Sequence, residues 1–160
     1  MTRKLSGKVA LVTGGSRGIG AASARVLADE GANVAISYVA SPDKAEAVVT
    51  ELKARGVEAR AFKADQASPA EVEQLVNDVA RAFGRLDILV NNAGVAVSGV
   101  VDDPNADTAA LARQDAINVH GVITAIRTAA RLMGEGGRIV TVGSGVAARG
   151  SVPGLADYAG

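Results

Sequence analysis

Short apolar runs alternate with stretches of helical period along this chain. Five runs read as strands: Val9–Thr13, Val34–Tyr38, Val57–Phe62, Leu86–Val90 and Arg138–Val142. The first, second, fourth and fifth are almost continuously apolar, as strands covered on both faces are. The third carries Glu58 and Arg60 on one face, which suits the edge of a sheet. Between the runs, Ala45, Val48, Val49 and Leu52 recur at i, i+3, i+4 and i+7. Val72, Leu75, Val76, Val79 and Phe83 continue a similar stripe over three turns. Ser68-Pro69-Ala70-Glu71 predicts a capping box with proline at the first helical position, and Ser41-Pro42 predicts a similar start. A further helix is expected from Ile19 to Asp29. A longer one is expected from Thr108 to Met133, ended by Gly134-Glu135-Gly136-Gly137.

Strands alternating with helices predict β-α-β units and a parallel sheet. No repeat or linker divides the pattern, so residues 1–160 are expected to form a single doubly wound α/β domain of the Rossmann type. The length is enough to bury a core. Composition sharpens this picture in one respect: 48% of residues are hydrophobic but only 2% are aromatic. The core must therefore be built from Ala, Val and other small or branched side chains, packed closely.

Charge and residue usage exclude several function classes. The formal net charge is zero, so no long-range field draws the chain to nucleic acid or to an acidic membrane. There is no cysteine, hence no disulfide, thiol nucleophile or cysteine metal site, and the single histidine, His120, cannot build a multi-histidine metal site. No apolar run approaches a membrane span and the first residues lack a signal-peptide core. A cytoplasmic location is the expectation. His120 has no partner suggested by spacing and is read as a surface or packing residue.

The chemistry concentrates where strands end. Thr13-Gly14-Gly15-Ser16-Arg17-Gly18-Ile19-Gly20 follows the first strand and opens a helix. Glycines there permit unusual dihedrals and let a phosphate approach the backbone, while the helix N-terminus offers free N–H groups and its positive dipole end. The spacing is not that of a Walker A loop, which needs Gly-Lys-Ser/Thr. At the end of the second strand, where an acidic residue would bind the ribose hydroxyls of NAD, the chain has Tyr38. No carboxylate is left there to repel a 2′-phosphate, and Arg17 supplies a guanidinium suited to one. NADP is expected over NAD. Asn91-Asn92-Ala93-Gly94 ends the fourth strand, at the switch point of a sheet ordered 3-2-1-4-5. Small residues there leave room for a cofactor, and asparagine can lock strand ends by hydrogen bonds.

Ser144 follows the fifth strand and Tyr158 lies fourteen positions later. With no histidine or acid beside it, Ser144 is not a hydrolase nucleophile. The glycine loop, the Asn-Asn-Ala-Gly turn, Ser144 and Tyr158 together resemble the short-chain dehydrogenase/reductase family, from Leu5 to Gly160. The resemblance implies that Gly14, Ser16, Arg17, Gly18, Ile19 and Gly20 line the phosphate and ribose side of the cofactor, with Tyr38 at the end of the second strand. It implies that Asp65, with Gln66 beside it, meets the adenine, and that Asn92, Ala93 and Gly94 border the cofactor. It assigns Asn118 to a water-mediated proton relay, Ser144 to orienting a carbonyl and Tyr158 to acid/base work.

In the family the tyrosine opens a Tyr-x-x-x-Lys motif, and here the lysine position falls beyond Gly160. A phenol is a poor base at neutral pH unless a nearby cation favours its ionised form. The spacing of Ser144 and Tyr158 is one longer than is commonest in the family, which implies an insertion between them. The resemblance further implies that the family's C-terminal strands and helices are lacking, and that the full-length form is a homo-oligomer, a dimer or tetramer. The expected function is NADP-dependent hydride transfer between the nicotinamide and a small-molecule ketone or secondary alcohol, with this chain an inactive fragment. The alternatives are a non-catalytic dinucleotide-binding module and a fragment with no independent function. Substrate identity is not legible, although Ser37-Tyr38-Val39-Ala40-Ser41 resembles the same region of 3-oxoacyl carrier-protein reductases and glucose dehydrogenases.

Overall fold

Every residue of β1 (Val9–Val12) is buried, because this strand sits at the middle of a parallel sheet with helices on both faces. The computed structural model describes residues 3–100, 102–146 and 154–159. Its sheet has the order β3-β2-β1-β4-β5, with β2 Asn33–Tyr38, β3 Ala59–Lys63, β4 Ile88–Asn91 and β5 Arg138–Thr141. The helices are α1 Gly18–Asp29, α2 Pro42–Lys53, α3 Pro69–Phe83, α4 Thr108–Asp115, α5 Val122–Leu132 and a short α6, Ala156–Ala159. This is the expected Rossmann arrangement, with strand ends displaced from the sequence reading by one or two residues.

The alternation of β1 divides the core in two. Ala10 and Val12 face α1 and α2, where they meet Val34, Ile36, Val48, Val49 and Leu52. Val9 and Leu11 face the other side, against Val72, Leu75, Val76 and Val79 of α3 and Ala125 and Ala129 of α5. Both predicted helical stripes are thus buried, except that Phe83, at the end of the second, is only partly so. Each fully buried Val or Leu contributes roughly 1.5–3 kcal/mol relative to exposure. On α1 the buried positions are Gly20, Ala21, Ala24 and Ala28, all small, which lets the helix lie close to the sheet.

Three expectations need correction. β5 was expected to be covered on both faces, but all four of its residues are exposed. It is the outermost strand among the described residues, beyond β4. Ser41 precedes α2 without a side-chain capping bond. At α3 the box is only half formed: Ser68 Oγ accepts from the Glu71 N–H at 3.4 Å, while Glu71 turns its carboxylate to the Asp65 N–H at 2.8 Å.

The predicted long helix is also interrupted. Ala116–Gly121, between α4 and α5, form a π-helical turn. Residues five apart diverge by about 140° on an α-helix. In the wider turn Asp115 and His120 meet, with Nε2 3.1 Å from Oδ2. His120 therefore does have a partner, one that α-helical spacing hides. The insertion expected between Ser144 and Tyr158 falls largely on 147–153, outside the described residues.

The two central strands are tied at both ends. At their amino ends Asp87 accepts from the Val9 N–H at 2.9 Å and from Arg85 at 2.7 Å on each oxygen, with Lys8 at 3.4 Å. At their carboxyl ends Thr13 Oγ1 accepts from the N–H groups of Asn92 and Ala93 at 3.0 and 3.1 Å. Asn92 Nδ2 returns the contact by donating to the carbonyls of Thr13 and Gly14 at 2.9 and 3.2 Å. The asparagine locks the strand ends, as expected of that turn.

Burial raises the Asp87 carboxyl, but the bonds from Arg85, the Val9 N–H and Lys8 outweigh it and hold the group below its ordinary value. A carboxyl depressed on folding stabilises above its unfolded pKa of about 3.9, and that stabilisation is lost as pH falls through the lower folded value. Asp87→Asn is expected to lower stability by about 1–2 kcal/mol at pH 7 in denaturant titration, with the difference shrinking below about pH 4. Thr13→Val leaves two part-buried N–H groups without their acceptor and is expected to cost about 2–3 kcal/mol. Thr13→Ser keeps the acceptor and is expected to cost less than about 1 kcal/mol in the same titration.

Candidate functional site

The carboxyl ends of β1, β2, β3 and β4 open into one cleft of about 560 Å³. It lies where ligands of open α/β sheets bind, at the point where strand order reverses beside β1. Its lining includes Gly14, Ser16, Arg17, Gly18 and Ile19 from the loop after β1, and Tyr38 from the end of β2. Asp65 and Gln66 after β3, and Asn92, Ala93 and Gly94 after β4, complete the walls. The structure therefore brings together all but one of the residues picked out for cofactor contact. Gly20, the exception, lies beneath the loop.

The loop has the backbone that its glycines predict: Gly14 and Gly18 take positive φ values of 65° and 53°. Gly20 is required for a different reason. A Cβ there would lie 2.5 Å from Asn92 Nδ2 and closer still to the Gly14 carbonyl, so a side chain would separate the loop from the Asn92 lock. Ser37, buried at the end of β2, accepts from the Gly14 N–H at 3.1 Å, and its carbonyl accepts from the Gly15 N–H at 2.9 Å. The loop is thus tied to β2 on one side and to the turn after β4 on the other.

α1 begins without a capping side chain and without an acidic residue in its first turn. Its leading N–H groups and positive dipole end are left for an anion, with Arg17 at the cap position. Opposite, the turn after β4 is held by the π-helical turn. Asn118 accepts from the Val95 N–H at 3.0 Å and donates to the Val95 carbonyl at 2.8 Å. Both polar atoms of its side chain are thus engaged with the Val95 backbone.

Single-turn π segments recur at functional sites. Here the widened turn points Asn118 at Val95 while Ala125 and Ala129 still face the sheet. Gly121 permits the fit, since a Cβ there would lie 2.9 Å from Gln66 Nε2 and nearer still to the Gln66 carbonyl.

Ser144 is half-buried in the loop after β5, and its Oγ accepts from the Val146 N–H at 3.2 Å. Tyr158 stands on α6, which the Gly99 N–H anchors through the Gly154 carbonyl at 2.8 Å. Neither lines the cleft. Of the three residues picked out for catalysis, only Asn118 is fixed against a cleft wall, through Val95.

Sequence reasoning passed over two residues of α4. Gln114 is buried and accepts from the Val97 N–H at 2.7 Å. Arg113 lines the cleft and donates through Nη2 to both oxygens of Asp65, at 3.1 and 3.0 Å. Burial raises the Asp65 carboxyl, but bonds from the Ala67 N–H and from Arg113 outweigh it and hold the group below its ordinary value. Their position at five and four residues before Asn118 was the available signal, but it has meaning only once the π turn is known. Among the described residues no cluster of His, Cys, Asp or Glu could hold a metal ion, and no helix is long and apolar enough to cross a membrane.

Comparison with known proteins agrees with this geometry. The family model described as short chain dehydrogenase matches residues 8–160. Versicolorin reductase 1 of Aspergillus parasiticus is 41% identical over 157 residues, 98% of this chain and 59% of its own length. A 3-oxoacyl-[acyl-carrier-protein] reductase, FabG, of Staphylococcus epidermidis is 42% identical over 94% of this chain and 62% of its own length. A short chain dehydrogenase from Burkholderia cenocepacia, crystallised with NADP, superposes with a TM-score of 0.92 at 51% identity, covering 98% of this chain and 63% of the other. A blue fluorescent protein from a metagenomic library, in complex with NADPH, gives 0.93 at 45% identity over 98% and 63%. The chain thus spans about three-fifths of the relatives it matches. With the 3-2-1-4-5 sheet, the glycine loop and the locked asparagine turn all in place, the chain belongs to the short-chain dehydrogenase/reductase family.

Proposed function

We propose that this chain is the nucleotide-binding part of an NADP-dependent oxidoreductase that interconverts a ketone and a secondary alcohol. One observation carries the reading. Arg17 and Tyr38 line the same cleft as the uncapped start of α1, and no carboxylate stands at the end of β2. A carboxylate there would accept from ribose hydroxyls and repel a 2′-phosphate; a guanidinium attracts one. The relatives crystallised with NADP and NADPH support the same choice.

The residues present fit a dinucleotide. The glycine loop and the start of α1 would hold the pyrophosphate, and Asp65 and Gln66 the base. Asn92, Ala93 and Gly94 would leave room for the nicotinamide half. Bound there, the nicotinamide supplies or accepts the hydride. The chain's own residues then have separate tasks. Ser144 would donate a hydrogen bond that orients the carbonyl, and Tyr158 would exchange a proton with its oxygen. Asn118 would hold the cleft wall through Val95 and take part in a water-mediated proton relay. These 160 residues are proposed to act as one domain that binds the cofactor without turnover, because the family's tyrosine works with a lysine four positions later. The full-length form is proposed to be a cytoplasmic homo-oligomer.

A second reading, a binding module without chemistry, is favoured by the fact that neither Ser144 nor Tyr158 lines the cleft. Two experiments separate the readings. Calorimetric titration of this chain is expected to give tighter binding of NADP than of NAD, and Arg17→Ala is expected to cut that preference about tenfold. Equal affinities would remove the charge argument. Following NADPH absorbance with ketones and β-ketoesters, the 160-residue chain is expected to be inert. A chain extended to the length of its relatives is expected to turn over. In the extended chain Tyr158→Phe should cost about 10²–10⁴-fold in kcat, and Ser144→Ala should lower kcat while leaving NADP affinity within about twofold. An inert extended chain favours the binding module.

A further inference from the structure

The ion pair between Asp65 and Arg113 is poorly explained as a stabilising element. Both side chains are part-exposed, at 29% and 52%, and pairs of that kind contribute little to stability. Yet the pair is well made. Both carboxylate oxygens accept from Arg113 Nη2, and Oδ1 also accepts from the Ala67 N–H at 2.9 Å. It joins residues 48 apart, the loop after β3 and helix α4, and both partners line the cleft. The Asp65 backbone is fixed separately by Glu71, so Arg113 is not needed to place the loop.

Arg113 does control the direction of the carboxylate. A terminal carboxylate torsion is broad and roughly two-fold, so a single bond to Oδ1 would leave Oδ2 poorly aimed. With Arg113 engaged, Oδ1 has two donors and Oδ2 has one. A carboxylate offers about four lone-pair positions, so Oδ2 keeps one open, and Asp65 remains an acceptor facing the cleft. The depressed proton affinity of Asp65 keeps it acceptor-only at neutral pH. An acceptor-only group selects a base that carries a donor at its edge. Adenine has an exocyclic amine at C6, whereas hypoxanthine has an oxygen there that a carboxylate repels, and its nearest donor is displaced to N1.

We propose that Arg113 is a positioning residue of the base subsite, aiming Asp65 so that the cleft selects adenine over hypoxanthine. Selectivity then belongs to the pair and not to Asp65 alone. The inference rests on the nucleotide-binding reading above. A direct contact of Arg113 with the base is not required, although Arg113 also lines the cleft.

The test is calorimetric titration of the 160-residue chain with adenosine 2′,5′-bisphosphate and inosine 2′,5′-bisphosphate, which differ only at that edge. The wild-type chain is expected to prefer the adenine ligand. Arg113→Ala is expected to weaken adenine binding about tenfold and to leave inosine binding within about twofold, so that the preference collapses. Arg113→Lys, which keeps the charge, is expected to retain part of it. Asp65→Asn is expected to remove the preference, and adding Arg113→Ala to it should cause no further loss. A purely structural role predicts that Arg113→Ala weakens both ligands alike. That result, or an unchanged preference, overturns the inference and leaves the nucleotide reading standing. Failure of the wild-type chain to bind either ligand overturns both.

Discussion

The site hangs on one hydroxyl. Thr13 Oγ1 accepts two N–H groups from the turn after β4, and through them the carboxyl ends of the two central strands are held at fixed separation. The glycine loop leaves β1 at Thr13, and the Asn-Asn-Ala-Gly turn leaves β4 one residue before Asn92. If these two exits drifted apart, neither wall of the cleft would keep its place. Asn92 Nδ2 closes the connection from the other side, onto the Thr13 and Gly14 carbonyls. Bonds in such a part-buried network are worth more together than singly, since each satisfied group holds the next in register.

From that junction the order spreads outward through small contacts. Gly20 lets α1 approach the lock, and Ser37 ties the loop to β2. The end of α4 and the π-helical turn reach across to the segment after β4 through Gln114 and Asn118, and to the loop after β3 through Arg113 and Gly121. One helical stretch therefore touches both the wall after β3 and the wall after β4. The widened turn has a weaker intrinsic geometry than an α-helix. It persists because Asn118 grips the Val95 backbone and Gly121 packs against Gln66, and because Ala125 and Ala129 still bury against the sheet just beyond it.

Much of the fold was legible because it follows from periodicity. Val72, Leu75, Val76 and Val79 lie on one stripe in any helix, and that stripe is buried. Val9 to Val12 are apolar at every position because both faces of a central strand are covered. The glycine loop was legible for the same local reason: a strand, then glycines at positions of positive φ, then a small-residue helix. β5 was misread as doubly covered. Its composition reports hydrophobicity, whereas its exposure depends on what lies beside it in space.

The sequence by itself determined the parallel α/β class, the two apolar faces, the glycine loop and the absence of an acidic residue at the end of β2. These are local properties: dihedral freedom, side-chain period, and charge at a numbered position. Tertiary structure alone decided the π turn, the Asp115–His120 and Arg113–Asp65 pairs, and the reach of Glu71 to Asp65 instead of its own cap. Each of these joins groups through a turn geometry or a crossing of elements that sequence spacing does not encode. A side chain with several acceptors or donors nearby takes the partner that packing brings within reach, and only the folded chain sets that distance.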